Sequence, residues 1–151
     1  MSAAEDHHGP SYLHVASIAL VVAGGLVGVA AREGLSLAVP DVDDVPVVIP
    51  LVNLIGAFVL GLLYEALSRT KPDPGTTGHL KLVLGTGFCG GLTTYSSLAT
   101  DTAVLLDDSR VGVGALYCLG TVLLGAGATF LGIVVASAAT RSRAHRDGAT
   151  S

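Results

Sequence analysis

The chain has 151 residues, 50% of them hydrophobic and 13% charged, with a formal net charge of -4 and a mean hydropathy of +0.66. Soluble domains carry about 25% charged residues, and one small water-facing core cannot hide several apolar stretches of roughly 20 residues, so these values argue against a soluble domain. The basic residues sit near the chain ends and in one loop, without the stripe or aromatic interleaving that a nucleic-acid groove requires.

In chain order, residues 1–11 form a polar tail that holds Glu5 and Asp6 but no Lys or Arg. The apolar run that follows therefore reads as a first membrane helix rather than a secretory signal. Apolar runs cover residues 12–31, 46–67, 79–106 and 111–138, each near or above the length that crosses about 30 Å of hydrocarbon. Backbone amides in lipid must pair within their own segment, and strand alternation is missing, so the expected fold is all-α with four transmembrane helices. Pro40, Pro46 and Pro50 punctuate the entry to the second run, Lys71, Pro72, Asp73, Pro74 and Gly75 separate the second from the third, and an acidic turn at residues 107–109 precedes the fourth. Residues 12–138 are thus expected to form one transmembrane domain, with residues 139–151 a second polar tail.

Small residues recur four apart at Gly24 and Gly28, Ala57 and Gly61, and Ala128 and Gly132, a spacing that lets helix backbones approach closely in lipid. Cys89 and Cys118 lie inside apolar runs and read as small buried side chains. If both ends share one side, that side holds Arg69, Lys71, Lys81, Arg141, Arg143 and Arg146, and the other only Arg32 and Arg110. This bias predicts that both termini are cytoplasmic.

The third run is unusual: Gly85, Gly87, Gly90 and Gly91 precede the hydroxyls of Thr93, Thr94, Ser96, Ser97 and Thr100. Glycine weakens a helix, which predicts a break between residues 90 and 94. Irregular backbone at membrane depth survives only where protein buries it or where it lines a cavity. Carbonyls freed at such a break create an electronegative spot suited to a cation. An uninterrupted helix whose Ser and Thr bond back to their own turn is the competing reading.

The segment from Gly87 to Ser97, GFCGGLTTYSS, closely resembles the signature GFCGGxTTFSTF of the Fluc (CrcB) family of fluoride channels. Gly24, Gly25 and Gly28 followed by Arg32, and Asn53 with Gly56 and Gly61, agree with that family in order and spacing, and the resemblance spans residues 15–136. It implies an antiparallel, dual-topology dimer of four-helix subunits in the cell membrane, exporting fluoride passively around a structural sodium ion. The sodium would rest on the backbone carbonyls of Gly90 and Thr93 from both subunits. The fluoride path would include Asn53, Tyr95, Ser96, Ser97, Leu98, Tyr117 and Thr121, with Arg32 closing the first helix. Tyr117, Thr121, Gly125 and Thr129 share one drifting helix face and resemble the family's polar track. Simpler roles exist for several of these residues: interhelical glue for Asn53, snorkelling for Arg32, interfacial anchoring for Tyr117.

Three positions depart from the family, Tyr95, Leu98 and Gly125, the last having no donor where the polar track often has a serine. The family's pore phenylalanines fall on Tyr95 and Leu98, so one ring gains a hydroxyl and the other is lost. Together with the one-sided basic bias, this favours a heterodimer with a related subunit of opposite topology over a homodimer. The rival readings are a non-conducting partner subunit and a small four-helix proton-coupled exporter, which would want a membrane-embedded carboxylate. No nucleophile has a base beside it, so no enzyme is expected. A metal site from His7, His8 and His14 has weak spacing support.

Overall fold

The computed structural model describes residues 15–148; the N-terminal tail, the three residues His7, His8 and His14, the expected start of the first helix at Tyr12, and residues 149–151 lie outside them. The described chain is all-helical. Helix α1 spans Val15–Ala38 and α2 spans Val48–Thr70. Helix α3 runs over residues 74–92 in three stretches: Pro74–Leu80, a more widely wound Lys81–Cys89, and Gly90–Leu92. After an interruption at Thr93 and Thr94, α4 spans Tyr95–Asp107 and α5 spans Val111–Gly148. Among the described residues, three segments, Val15–Ala38, Val48–Thr70 and Val111–Ser142, are long and apolar enough to cross a membrane.

The ends of these elements follow from local chemistry. Lys71 adopts a left-handed conformation with φ 45° and returns its N–H to the Leu67 carbonyl, closing α2. Asp73 then caps α3, its carboxylate accepting from the Thr76 N–H at 2.9 Å, with Pro74 at the first helical position. That bond holds the Asp73 carboxyl below the usual carboxylate range. Between α1 and α2, Val42 and Val45 exchange two backbone bonds across Asp43 and Asp44, both at positive φ, which is the geometry of a two-residue hairpin turn.

The helices pack as two close parallel pairs. In the first, a Cβ on Gly24 would collide with the Val83 carbonyl, one on Gly28 with the Phe88 carbonyl, and one on Gly91 with the Gly25 carbonyl. Partners advance together along the sequence, so α1 and α3 run parallel, backbone against backbone. In the second, Gly61 faces the Thr129 carbonyl while Gly132 faces the Phe58 carbonyl, so α2 and α5 notch each other reciprocally. The small-residue spacing in the sequence therefore marks real interfaces, where packing replaces the hydrophobic drive. A buried cluster of Val48, Ile49, Val52, Leu92, Leu98, Leu105 and Tyr117 joins the pairs at one end. Elsewhere large apolar side chains face outward, among them Leu116, Leu123 and Phe130, as a lipid-facing surface requires.

Three expected boundaries move. Helix α1 continues past Ala31 to Ala38, because Gly34, Leu35, Ser36 and Leu37 contain nothing that stops a helix. Helix α5 continues past Ala138 to Gly148; polar residues end a membrane span but not a helix. The third run begins earlier than residue 79, at Pro74.

Gly61→Val and Gly132→Val are expected to separate α2 from α5 and to cost at least the roughly 1–3 kcal/mol of an overpacked core. Gly34→Ala and Gly127→Ala, where an added Cβ meets nothing within 4 Å, should leave the protein unchanged. Thermal unfolding of the four variants in detergent distinguishes the two classes.

Candidate functional site

The site is built around the interruption between α3 and α4. Thr93 (φ -83°, ψ 151°) and Thr94 (φ -148°, ψ 118°) are extended, so the Thr94 N–H loses its helical partner. Asn53 on α2 replaces it. Its Oδ1 accepts from the Thr94 N–H at 2.8 Å, and its Nδ2 donates to the Thr94 carbonyl at 3.1 Å. One side-chain amide thus satisfies both polar groups of the residue that breaks the helix, as buried backbone demands. Gly56, one turn along α2, has no side chain because the Thr93 methyl occupies that space.

The hydroxyls divide the remaining work. Thr93 Oγ1 donates back to the Cys89 carbonyl at 2.9 Å, which also receives the Thr93 N–H. Thr94 Oγ1 caps α4, accepting from the Ser97 N–H at 3.2 Å and bonding the hydroxyls of Ser96 and Ser97 at 3.1 Å each. A continuing helix would give the Thr94 N–H to the Gly90 carbonyl; here it goes to Asn53. The freed Gly90 carbonyl lies at the negative end of α3, and the positive end of α4 starts three residues later.

An open groove of about 470 Å³ runs beside this break, between α2, α3, α4 and α5. Of the residues singled out in the sequence, it gathers Asn53, Gly90, Thr93, Tyr95, Leu98 and Thr121 along its walls. Tyr95 is 80% exposed and stands out of the groove, whereas Leu98 is 3% exposed and belongs to the apolar cluster. Thr121 and Thr129 line the groove with their hydroxyls turned to the Tyr117 and Gly125 carbonyls of their own helix.

Other candidates lie off this groove. Ser96 and Ser97 sit behind Thr94 in the cap. Tyr117 is buried, and its hydroxyl lies 2.8 Å from Asp101 Oδ2 and 3.1 Å from the Pro46 carbonyl. Arg32 does not close α1; it lies within it and pairs with Glu33 at 3.2 Å.

Similarity to known proteins bears on this architecture. The model of the CrcB-like, camphor-resistance (CrcB) proteins matches residues 19–133. The chain belongs to the CrcB family. A relative from Leifsonia xyli named fluoride-specific ion channel FluC 2 is 46% identical over 85% of this chain and 89% of its own length. FluC of Prosthecochloris aestuarii is 35% identical over 80% of this chain and 92% of its own, and FluC 1 of Mycobacterium bovis is 36% identical over 78% and 88%. The CrcB match covers most of both parallel helix pairs and the whole break.

Two features of this CrcB chain escaped the sequence reading. One is the capping role of Thr94, although a threonine three residues before Ser97 is a recognisable start signal. The other is the wide winding of Lys81–Cys89, which no local pattern announces.

Asn53→Leu leaves the Thr94 N–H unpaired, at about 1–3 kcal/mol for a buried group, and removes the side-chain bond to the Thr94 carbonyl, which as N-cap keeps its bond to the first turn of α4. Amide hydrogen exchange at Thr94 and Ser97 is expected to rise by at least tenfold in this variant. Unchanged protection at both would show that the clasp does not hold the break.

Proposed function

We propose that this chain is a subunit of a fluoride-selective channel that lets the anion leave the cytoplasm passively and so limits its toxicity. The observation that carries this reading is the groove beside the clasped break, with the names of the relatives as support. Fluoride is small and strongly hydrated, so a selective path must supply closely spaced donors in place of water. The second N–H of Asn53 Nδ2 is one such donor. Thr121 and Thr129 can turn their single protons from a helix carbonyl toward a passing anion. Ser96 and Ser97 lie at the positive end of α4, where negative charge is favoured.

The membrane topology belongs to the same proposal. The parallel course of α1 with α3, and of α2 with α5, supports four crossings, the third made of α3 and α4 together. The basic residues of the α2–α3 connection and the α5 end support cytoplasmic termini. The exposed ring of Tyr95 beside an open groove supports completion of the pore by a homologous, antiparallel subunit. The buried Leu98, in place of a ring, and the basic bias favour a heterodimer. At the dimer axis, Gly90 and Thr93 would offer carbonyl oxygens to a structural sodium ion. The freed Gly90 carbonyl and the negative end of α3 fit a hard cation, and a second copy of the site would supply further oxygens. The ion would contribute a fixed positive charge binding the two subunits.

Fluoride-electrode recording from liposomes tests the reading. Liposomes holding this chain and a homologous subunit should release fluoride and retain chloride, and Asn53→Asp should abolish release while the assembly survives. Absence of fluoride release contradicts the channel. Robust release from the chain alone contradicts the heterodimer.

A further inference from the structure

The groove beside the break does not end at Thr129. A second groove of about 360 Å³ begins at the same Leu60 and Thr129 and continues past Gly61 and Ile133 to Tyr64 and Glu65. The two together follow the α2–α5 seam from Tyr95 to Glu65, in the last two turns of α2. A route that carries an anion should not finish at a bare carboxylate, yet Glu65 lines its last part.

The surroundings of Glu65 resolve this conflict. Its Oε1 accepts from Ser137 Oγ on α5 at 2.8 Å and from Arg69 Nε one turn along α2. The carboxylate is thus turned toward a buried hydroxyl and paired with a guanidinium. Across the groove, the Tyr64 ring lies against Gly85, where an added Cβ would stand 3.3 Å from Cε2. Lys81, one turn earlier on α3, holds its Nζ 5.4 Å from the centre of the same ring. The ion pairs formed among the described residues are Arg32 with Glu33 and Arg69 with Glu65, so the Lys81 charge stands without a carboxylate partner. The groove therefore ends at a neutralised carboxylate and at the Tyr64 ring, and the Lys81 cation, outside the groove's own lining, rests on that ring.

We propose that Lys81, Tyr64 and the Glu65–Arg69–Ser137 cluster form the mouth of the anion route at the proposed cytoplasmic end. Lys81 draws fluoride toward the groove, and Arg69 cancels the repulsion of Glu65. This rests on the channel reading above and assigns the entry step to these side chains. A cation at a low-dielectric mouth concentrates anions there and raises their entry rate, and salt screens the effect over about 10 Å at 0.1 M.

The test is the initial fluoride efflux from liposomes holding the assembled channel, at low and at high potassium gluconate, for the unaltered protein, Lys81→Gln, Arg69→Gln and the double variant Glu65→Gln/Arg69→Gln. At low salt, Lys81→Gln and Arg69→Gln should each slow efflux by roughly threefold or more. The Lys81→Gln deficit should shrink at high salt, and the double variant should recover the rate that Arg69→Gln loses. A structural role alone would give neither the salt dependence nor the recovery. Should Arg69→Gln fail to assemble, the salt dependence of Lys81→Gln decides. Efflux by the unaltered protein with no salt-dependent change in Lys81→Gln overturns the mouth and leaves the channel reading intact, whereas no efflux by the unaltered protein overturns both.

Discussion

The arrangement depends on one side chain, Asn53, satisfying both backbone groups of a residue 41 positions away. In water, two extended threonines between helices would cost little, because solvent would bond their amides. In a hydrocarbon setting each unpaired group costs several kcal/mol, so the interruption at Thr93 and Thr94 exists only while something answers it. The Asn53 amide presents one of its two N–H groups and its carbonyl oxygen in the spacing that a peptide unit needs. By taking the Thr94 N–H it also deprives the Gly90 carbonyl of its helical partner, and one contact thereby produces both the break and the exposed oxygen beside it.

The glycines supply the frame in which this contact is possible. Gly24, Gly28 and Gly91 bring α1 against α3, and Gly61 and Gly132 bring α2 against α5, all at distances that a single methyl would prevent. With the backbones so close, Asn53 reaches across to α3 and α4, and Gly56 leaves space for the Thr93 methyl. The groove is what remains between the two pairs. Its walls are set by the helix frame rather than by mobile loops, which suits a path whose donors must be closely spaced.

Much of this was legible in the residues, though not always for the right reason. Hydropathy located the long helices because apolar runs of that length have few other fates, and small residues four apart located the interfaces. The break was expected between residues 90 and 94 because glycine weakens helices. It does fall there, but Gly90 keeps helical angles of -64° and -33°, and Gly91 serves the approach of α1. The β-branched pair Thr93 and Thr94 takes the extended conformation instead, under a tertiary bond that local propensity cannot reveal. The same limit explains Tyr117: a four-residue spacing put it on one face with Thr121, but its hydroxyl is occupied by Asp101 and Pro46. The family resemblance puts Arg32 at the close of the first helix, whereas α1 continues beyond it to Ala38. Glu65 and Arg69 stand one turn apart on α2, but Ser137 joins them only through the parallel packing of α2 on α5, so the cluster is not legible in the sequence.

The groove and the freed carbonyl both require that this segment be interrupted at two extended threonines held by α2. The most direct measurement is the Cα and Cβ chemical shifts of residues 90–98 in protein labelled with carbon-13 and reconstituted in lipid bilayers. The account predicts extended-type shifts at Thr93 and Thr94 between helical values at Leu92 and Ser96, moving toward helical values in Asn53→Leu. Helical shifts throughout residues 90–98 in the unaltered protein would contradict it.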